Sequence, residues 1–317
     1  MNTMQCGTEA SFKYIENFDV KVHPVIKHKS PNYCNLRQRY DQDREILWLY
    51  MNPKGRQCFS IDLLKDMRAQ HEALLSNGGT YYLEHEPQNI RYQVLTSEDQ
   101  RPYNLGGDLE LFLKCIKTHD RSSLYDYAKL CIDVLIPTAN DFNSTVTTIS
   151  LVRGQALGGG FESALSSSIL VAERNSKLGL PEVLFNLFPG MGAYHFLLRR
   201  LPAVQVEKMI MSGNVYGAEE LYEMGVVDIL AEDGEGENAI YNYIDKHKRH
   251  LNSQTGLQKV RQICQPITHD ELMSVCEVWV DTAMKLESKD LRVMERLVRA
   301  QYRMNSYDNV KPIMAMA

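Results

Sequence analysis

Two glutamates, Glu162 and Glu182, lie in a segment whose residue types can do chemistry. Residues 151–182 read LVRGQALGGGFESALSSSILVAERNSKLGLPE. This predicts a strand, a turn of Gly158, Gly159 and Gly160, a short helix carrying Glu162, a second strand, and then Pro181 followed by Glu182. Carboxyls beside unblocked amides suit thioester chemistry at the α and β carbons, since amides can hold an enolate oxygen while carboxyls move protons. A helix opening directly after a strand presents unsatisfied N–H groups at its positive end, and only glycine lets a substrate carbonyl come close to that backbone. A glycine triplet alone marks a turn. Here it is flanked by Val146, Thr148, Ile149 and Leu151 on one side and by Phe161, Ala164 and Leu165 on the other, so a buried, rigid turn is expected. Taken singly, Glu162 fits an ordinary first-turn helix carboxylate and Glu182 a residue after an N1 proline. Their joint spacing around the glycines is what argues for acid–base work.

Four blocks of the chain, in order, resemble the crotonase (enoyl-CoA hydratase/isomerase) family. NLGGDLELF at 104–112 resembles its first oxyanion-hole loop, and GQALGGGFE at 154–162 resembles the second, with the first catalytic glutamate. LGLPEVLFNLFPGMGA at 178–193 resembles the segment with the second glutamate, and SGNVYGAEELYEMGVVD at 212–228 resembles the helix that ends on glycine before a valine-rich strand. The resemblance implies oxyanion amides at Gly107 and Gly159 and an acid/base pair at Glu162 and Glu182. The residues leave open which glutamate does what; the working assignment places Glu182 at Cα and Glu162 at the β-hydroxyl. The bulkier loop Tyr103–Asp108, together with LCIDVLIPTANDF at 130–142, is similar to the diffusible signal factor synthases. That resemblance implies a quorum-sensing enzyme that dehydrates a 3-hydroxyacyl group on acyl carrier protein and then hydrolyses the thioester, releasing a cis-2-unsaturated fatty acid. Two other readings stand beside it: an enoyl-CoA hydratase of fatty acid oxidation, and a crotonase-fold binding partner of a sensor histidine kinase.

The elements that must position these groups suggest an α/β fold, a crotonase-like spiral of ββα units with a C-terminal helical region. ILWLYM at 46–51 reads as a buried strand, and Ser60 as the cap of a helix with Leu64, Met67 and Leu74 on one face. Ile90, Tyr92 and Val94 alternate as a strand leading to the Gly106 loop. A long helical region is expected from Leu109 to about Leu135, with Thr138, Ala139, Asn140 and Asp141 as loop before the next strand. Residues 1–30 read as an N-terminal extension, 31–235 as the catalytic core and 236–317 as a helical region that, by the resemblance, covers the site and supports trimers. In that region Leu272, Val275, Cys276, Trp279 and Ala283 share one helical face, and Met294, Leu297 and Val298 another. These faces read first as core or subunit packing. A functional alternative is that Trp279 and Leu297, with Met191, line an acyl-chain pocket.

The 317 residues carry a net charge of −5 with both signs mixed, which gives nucleic acid binding little support. Acyl carrier protein is acidic, so its docking would need a local basic patch, for which Lys21, Lys27, Lys29, Arg199 and Arg200 are candidates and equally ordinary solvated charges. No stretch approaches the roughly 18 apolar residues of a membrane span, and the first 30 residues lack a secretory pattern, so a cytoplasmic enzyme is expected. Seven scattered cysteines and nine dispersed histidines lack metal-ligand spacing, so neither disulfides nor a metal or other cofactor is implied. His195, just after the PGMG turn, reads as a packed or hydrogen-bonded residue.

Overall fold

The computed structural model describes residues 33–83 and 86–306; the N-terminal extension and its Lys21, Lys27 and Lys29 lie outside them. A six-stranded sheet runs in the order Leu36–Asp41, Ile46–Met51, Tyr92–Ser97, Thr147–Val152, Ile169–Glu173, Ile229–Ala231. The first pair is antiparallel and the rest are parallel. A second sheet has the order Val215–Gly217, Lys177–Gly179, Gln155–Leu157, Pro102–Asn104. The chain alternates between them. Tyr92–Ser97 leads to Pro102–Asn104 and then the helix Leu109–Lys117; Thr147–Val152 leads to Gln155–Leu157 and the helix Gly159–Ser166; Ile169–Glu173 leads to Lys177–Gly179 and the 3-10 turn Pro181–Phe185. These are the turns of the expected ββα spiral.

The inner strands are covered on both faces, as parallel strands must be. All of Ile46–Met51 and Tyr92–Ser97 are buried. Leu47, Leu49 and Leu95 join the main core, whereas Trp48, Tyr50 and Val94 pack in a second core with Ile240 and Ile244 of the helix Gly236–His247. Between the alternating Tyr92 and Val94, Gln93 is buried as well and accepts a hydrogen bond from Gln70 Nε2 at 3.0 Å. Ser60 caps the helix Ile61–Ser76 as expected, accepting from Leu63 N.

The expected helical region consists of two helices, Leu109–Lys117 and Arg121–Ala139. They break at His119, with φ of 54°, because Asp120 caps the second by accepting from Ser123 N at 3.0 Å. Thr138 and Ala139 belong to that second helix rather than to a loop. Beyond it, Asp141, Phe142, Asn143 and Ser144 all take positive φ in a single left-handed turn. Buried Asp141 holds this turn against the next strand, its carboxylate accepting from Thr148 N and Ser168 Oγ at 3.0 and 2.6 Å. From Gly236 to Ser306 the chain is mainly helical, His269–Ala283 and Ser288–Ser306 being the last two described helices. Leu272, Cys276, Trp279 and Ala283 are buried. No helix among the described residues is long and apolar enough to cross a membrane.

Candidate active site

The small sheet aligns the segments that carry the site. Gln155 pairs with both Pro102 and Lys177, and Leu157 with Gly179. The three parallel strands thus release their chains at one end, as the Gly106–Gly107 loop, the Gly158–Gly159 turn and the Pro181–Glu182 turn. Gly158 N donates to Gly179 O at 2.9 Å and locks the last two together. Two glycines here have no substitute. Gly158 lies at φ 52°, ψ −125°, and a Cβ there would come within 2.5 Å of Glu182 Oε1. A Cβ on Gly160 would come within 2.1 Å of Asn104 O, so the helix can start against the neighbouring strand only with hydrogen at that position.

Gly107 and Gly159 sit side by side, a Cβ on Gly159 falling 3.4 Å from Gly107 N. Among the described residues neither amide has an acceptor in the protein. The Gly107 loop is braced from several directions. Asn104 Oδ1 accepts from Gly106 N at 2.8 Å, and Phe59 N donates to Gly106 O at 2.8 Å. Tyr127 Oη donates to Phe59 O at 2.7 Å while accepting from Asp108 N at 3.1 Å. Asp108 also receives Arg56 at 2.6 Å, a guanidinium with only 10% of its side chain exposed. The amides are therefore fixed in place, as groups aimed at a developing oxyanion need to be.

Glu162 is 2% exposed. Its Oε1 accepts from Met191 N at 2.8 Å and Ala193 N at 3.0 Å, so the PGMG turn serves to hold this carboxylate. Burial pushes its pKa up to about 7, with the two amides pulling the other way. Glu182 is half-buried at the cavity wall, and its Oε2 has no partner. Burial first, and then the charge of Glu162, push its pKa well above the usual carboxylate range. The two backbone donors favour the charged form of Glu162, and the unpartnered Oε2 of Glu182 has no such support.

Both carboxyls and both pairs of glycines open on one cavity of about 1030 Å³, its open mouth included. Its remaining wall is almost wholly apolar, with Phe112, Leu135, Met191, Trp279 and Leu297 among the lining side chains. The structure therefore brings together every site residue expected from the sequence, including the three of the acyl pocket. Sequence reasoning missed Asn104, Arg56 and Tyr127, which brace the loop, and Phe112, Cys131 and Gln301, which line the cavity. Asn104 stood in a quoted block without a role. A polar residue two positions before a pair of glycines was the available signal. The other five carry no local mark.

His195 turns away from the cavity toward Glu271, Nε2 to Oε1 at 3.4 Å, in keeping with a packing role. Arg200 is held by Asp228 at 2.8 Å and by Val226 O at 2.9 Å. Arg199 is half-buried, donates to Gln265 O, and is lowered to about 10 by burial and then by Arg261. Both arginines are engaged inside the molecule rather than being plain solvated charges.

Comparison with known proteins agrees with this geometry. The family model for enoyl-CoA hydratase/isomerase matches residues 81–254. The mitochondrial methylglutaconyl-CoA hydratase of Mus musculus is 27% identical over 225 residues, covering 70% of this chain and 66% of that protein, just under two thirds of its length. Among solved structures, the enoyl-CoA hydratase of Bacillus halodurans superposes with a TM-score of 0.70 at 17% identity, covering 83% of this chain and 99% of that one. Pseudomonas aeruginosa DspI superposes at 0.62 with 19% identity, covering 88% and 97%. The structural matches establish a shared fold. With more than half of its length matched by the family model, the chain belongs to the enoyl-CoA hydratase/isomerase family.

Proposed function

We propose that this protein dehydrates a 3-hydroxyacyl thioester and then hydrolyses the enoyl product to a free cis-2-unsaturated fatty acid, with acyl carrier protein as the carrier. The observation that carries the catalytic part is two carboxyls of raised pKa beside two free, braced amides at the wall of an apolar cavity. The carrier and the hydrolytic step rest on the resemblance of the 103–108 and 130–142 segments to the signal synthases.

The thioester oxygen accepts from Gly107 N and Gly159 N. Each such donor stabilises enolate charge by about 3 to 4 kcal/mol. In dehydration, Glu182 as carboxylate takes the α proton, the electron pair forms the Cα–Cβ double bond, and the C–O bond breaks as Glu162 gives its proton to the departing hydroxyl. Hydration runs the same path backwards, with Glu162 as carboxylate taking a proton from water and Glu182 returning one to Cα. Both directions need a pair that holds one proton. For hydrolysis, a carboxylate takes a proton from water, the hydroxide adds to the thioester carbon, and the amides hold the tetrahedral oxyanion. Collapse breaks the C–S bond, and the carboxyl gives the proton to the leaving thiolate.

One observation favours a second reading, an enoyl-CoA hydratase. Two backbone N–H groups donate to Glu162 Oε1, whereas Glu182 Oε2 has no partner, so a pair that shares one proton keeps it best on Glu182; that arrangement is set for hydration, whereas dehydration starts after the proton has crossed between the carboxyls. The same pair supports turnover over a purely sequestering role toward a sensor kinase. Incubation with 3-hydroxydodecanoyl acyl carrier protein and, separately, with crotonyl-CoA decides between the enzymes. Free cis-2-enoic acid from the first supports the proposal; rapid hydration of the second without free acid supports the alternative.

A further inference from the structure

The helix Ser288–Ser306 lines the cavity with Leu297, Ala300 and Gln301, of which Gln301 alone is polar and is not used by the chemistry above. Gln301 lines the cavity and is 6% exposed. Its Nε2 donates to Leu105 O at 3.3 Å, and its Oε1 has no partner. The amide cannot be turned to relieve this, because the Leu105 carbonyl needs a donor and only the NH₂ end supplies one. A buried acceptor left unpaired is costly unless a ligand fills it. The helix is also fixed at this point: Tyr302 Oη donates to Glu110 at 2.7 Å, and Arg56, bound to Asp108, lies 5.3 Å over the Tyr302 ring.

We infer that Gln301 is a substrate-binding residue whose Oε1 accepts a hydrogen bond from the cysteamine amide N–H of the substrate's pantetheine arm. The inference rests on the thioester reading above. Oε1 can only accept, so its partner must bring a donor. With the thioester oxygen on Gly107 N and Gly159 N, the β-hydroxyl is committed to the glutamates, and the acyl chain beyond it is apolar. The next donor is the amide N–H, two methylenes past the sulfur, in the arm shared by coenzyme A and acyl carrier protein. Leu105, to which Gln301 is tied, stands two residues before Gly107, on the loop that the arm must pass.

The test uses two ligands on the intact protein. One is a saturated acyl pantetheine with methylene in place of the thioester sulfur, which can be neither dehydrated nor hydrolysed. The other is the same molecule with its cysteamine N–H replaced by an ester oxygen. Calorimetry of the unaltered protein should show the N–H ligand binding about tenfold tighter, the worth of one neutral hydrogen bond left unmade. In Gln301→Met the two should bind alike. Equal binding to the unaltered protein, or a preference that survives in Gln301→Met, overturns the inference and leaves the thioester reading standing. A protein that binds neither ligand overturns both. Repeating the comparison with the arm on coenzyme A and on acyl carrier protein separates the two sources by affinity.

Discussion

Glu162 should cost the fold stability as pH rises, and Glu162→Gln should recover it. The glutamine keeps an oxygen for Met191 N and Ala193 N and has no charge to bury. A carboxyl raised in the folded state from 4.5 to about 7 contributes stability that is fully present below the unfolded pKa and is lost as pH climbs through the folded one. The full difference, at 1.36 kcal/mol per unit, is about 3 kcal/mol, most of it developed by pH 8 and less than about 1 kcal/mol of it at pH 5. Urea denaturation of both proteins at pH 5 and pH 8 measures this directly. The variant's stability relative to the parent should improve by about 2 kcal/mol between those pH values, while catalysis is lost at both. A stability difference that does not change with pH would refute the claim that this site disfavours the charged form.

The pH–rate profile for hydration or dehydration should be bell-shaped, rising as the pair loses its first proton near pH 7 and falling at higher pH as Glu182 ionises; a rate flat from pH 6 to 9 would count against a shared proton. Gly158→Ala should cut kcat by about a hundredfold or more, because its Cβ would displace Glu182 Oε1 from a 2.5 Å approach, and steady-state kinetics with a check of the melting curve would show it. Leu297→Trp should shift turnover toward shorter acyl chains, since Leu297 lines the cavity; an unchanged chain-length profile would remove it from the acyl pocket. The helix Leu251–Cys264 has no buried residue and exposes Leu257, Val260 and Ile263 by 63%, 51% and 78%, so Ile263→Asp should lower the molecular mass seen by light scattering if this face joins copies of the chain into the expected oligomer.

What was legible in the sequence was whatever the backbone demands locally. Gly158 and Gly160 are forced by positive φ and by a strand at contact distance, and proline before Glu182 starts a 3-10 turn. Such needs write themselves into neighbouring residues. The break at His119 inside the expected helical region is also written, in Asp120 followed three residues later by Ser123, from whose N–H it accepts. Groups that act from a distance leave no such trace. Gln301 meets Leu105 across 196 positions, Arg56 meets Asp108 across 52, and Tyr127 meets Phe59 across 68. Gln93 is a related case, a polar residue on an inner parallel strand satisfied by Gln70 rather than by water.

The most direct test of the central claim is mass spectrometry of the products formed from 3-hydroxydodecanoyl acyl carrier protein by the unaltered protein and by Glu162→Gln and Glu182→Gln. The account predicts free cis-2-dodecenoic acid from the first, and a loss of about 10² to 10⁴-fold in its rate of formation in each variant. No release of enoic acid by the unaltered protein, or full turnover in both variants, would contradict it.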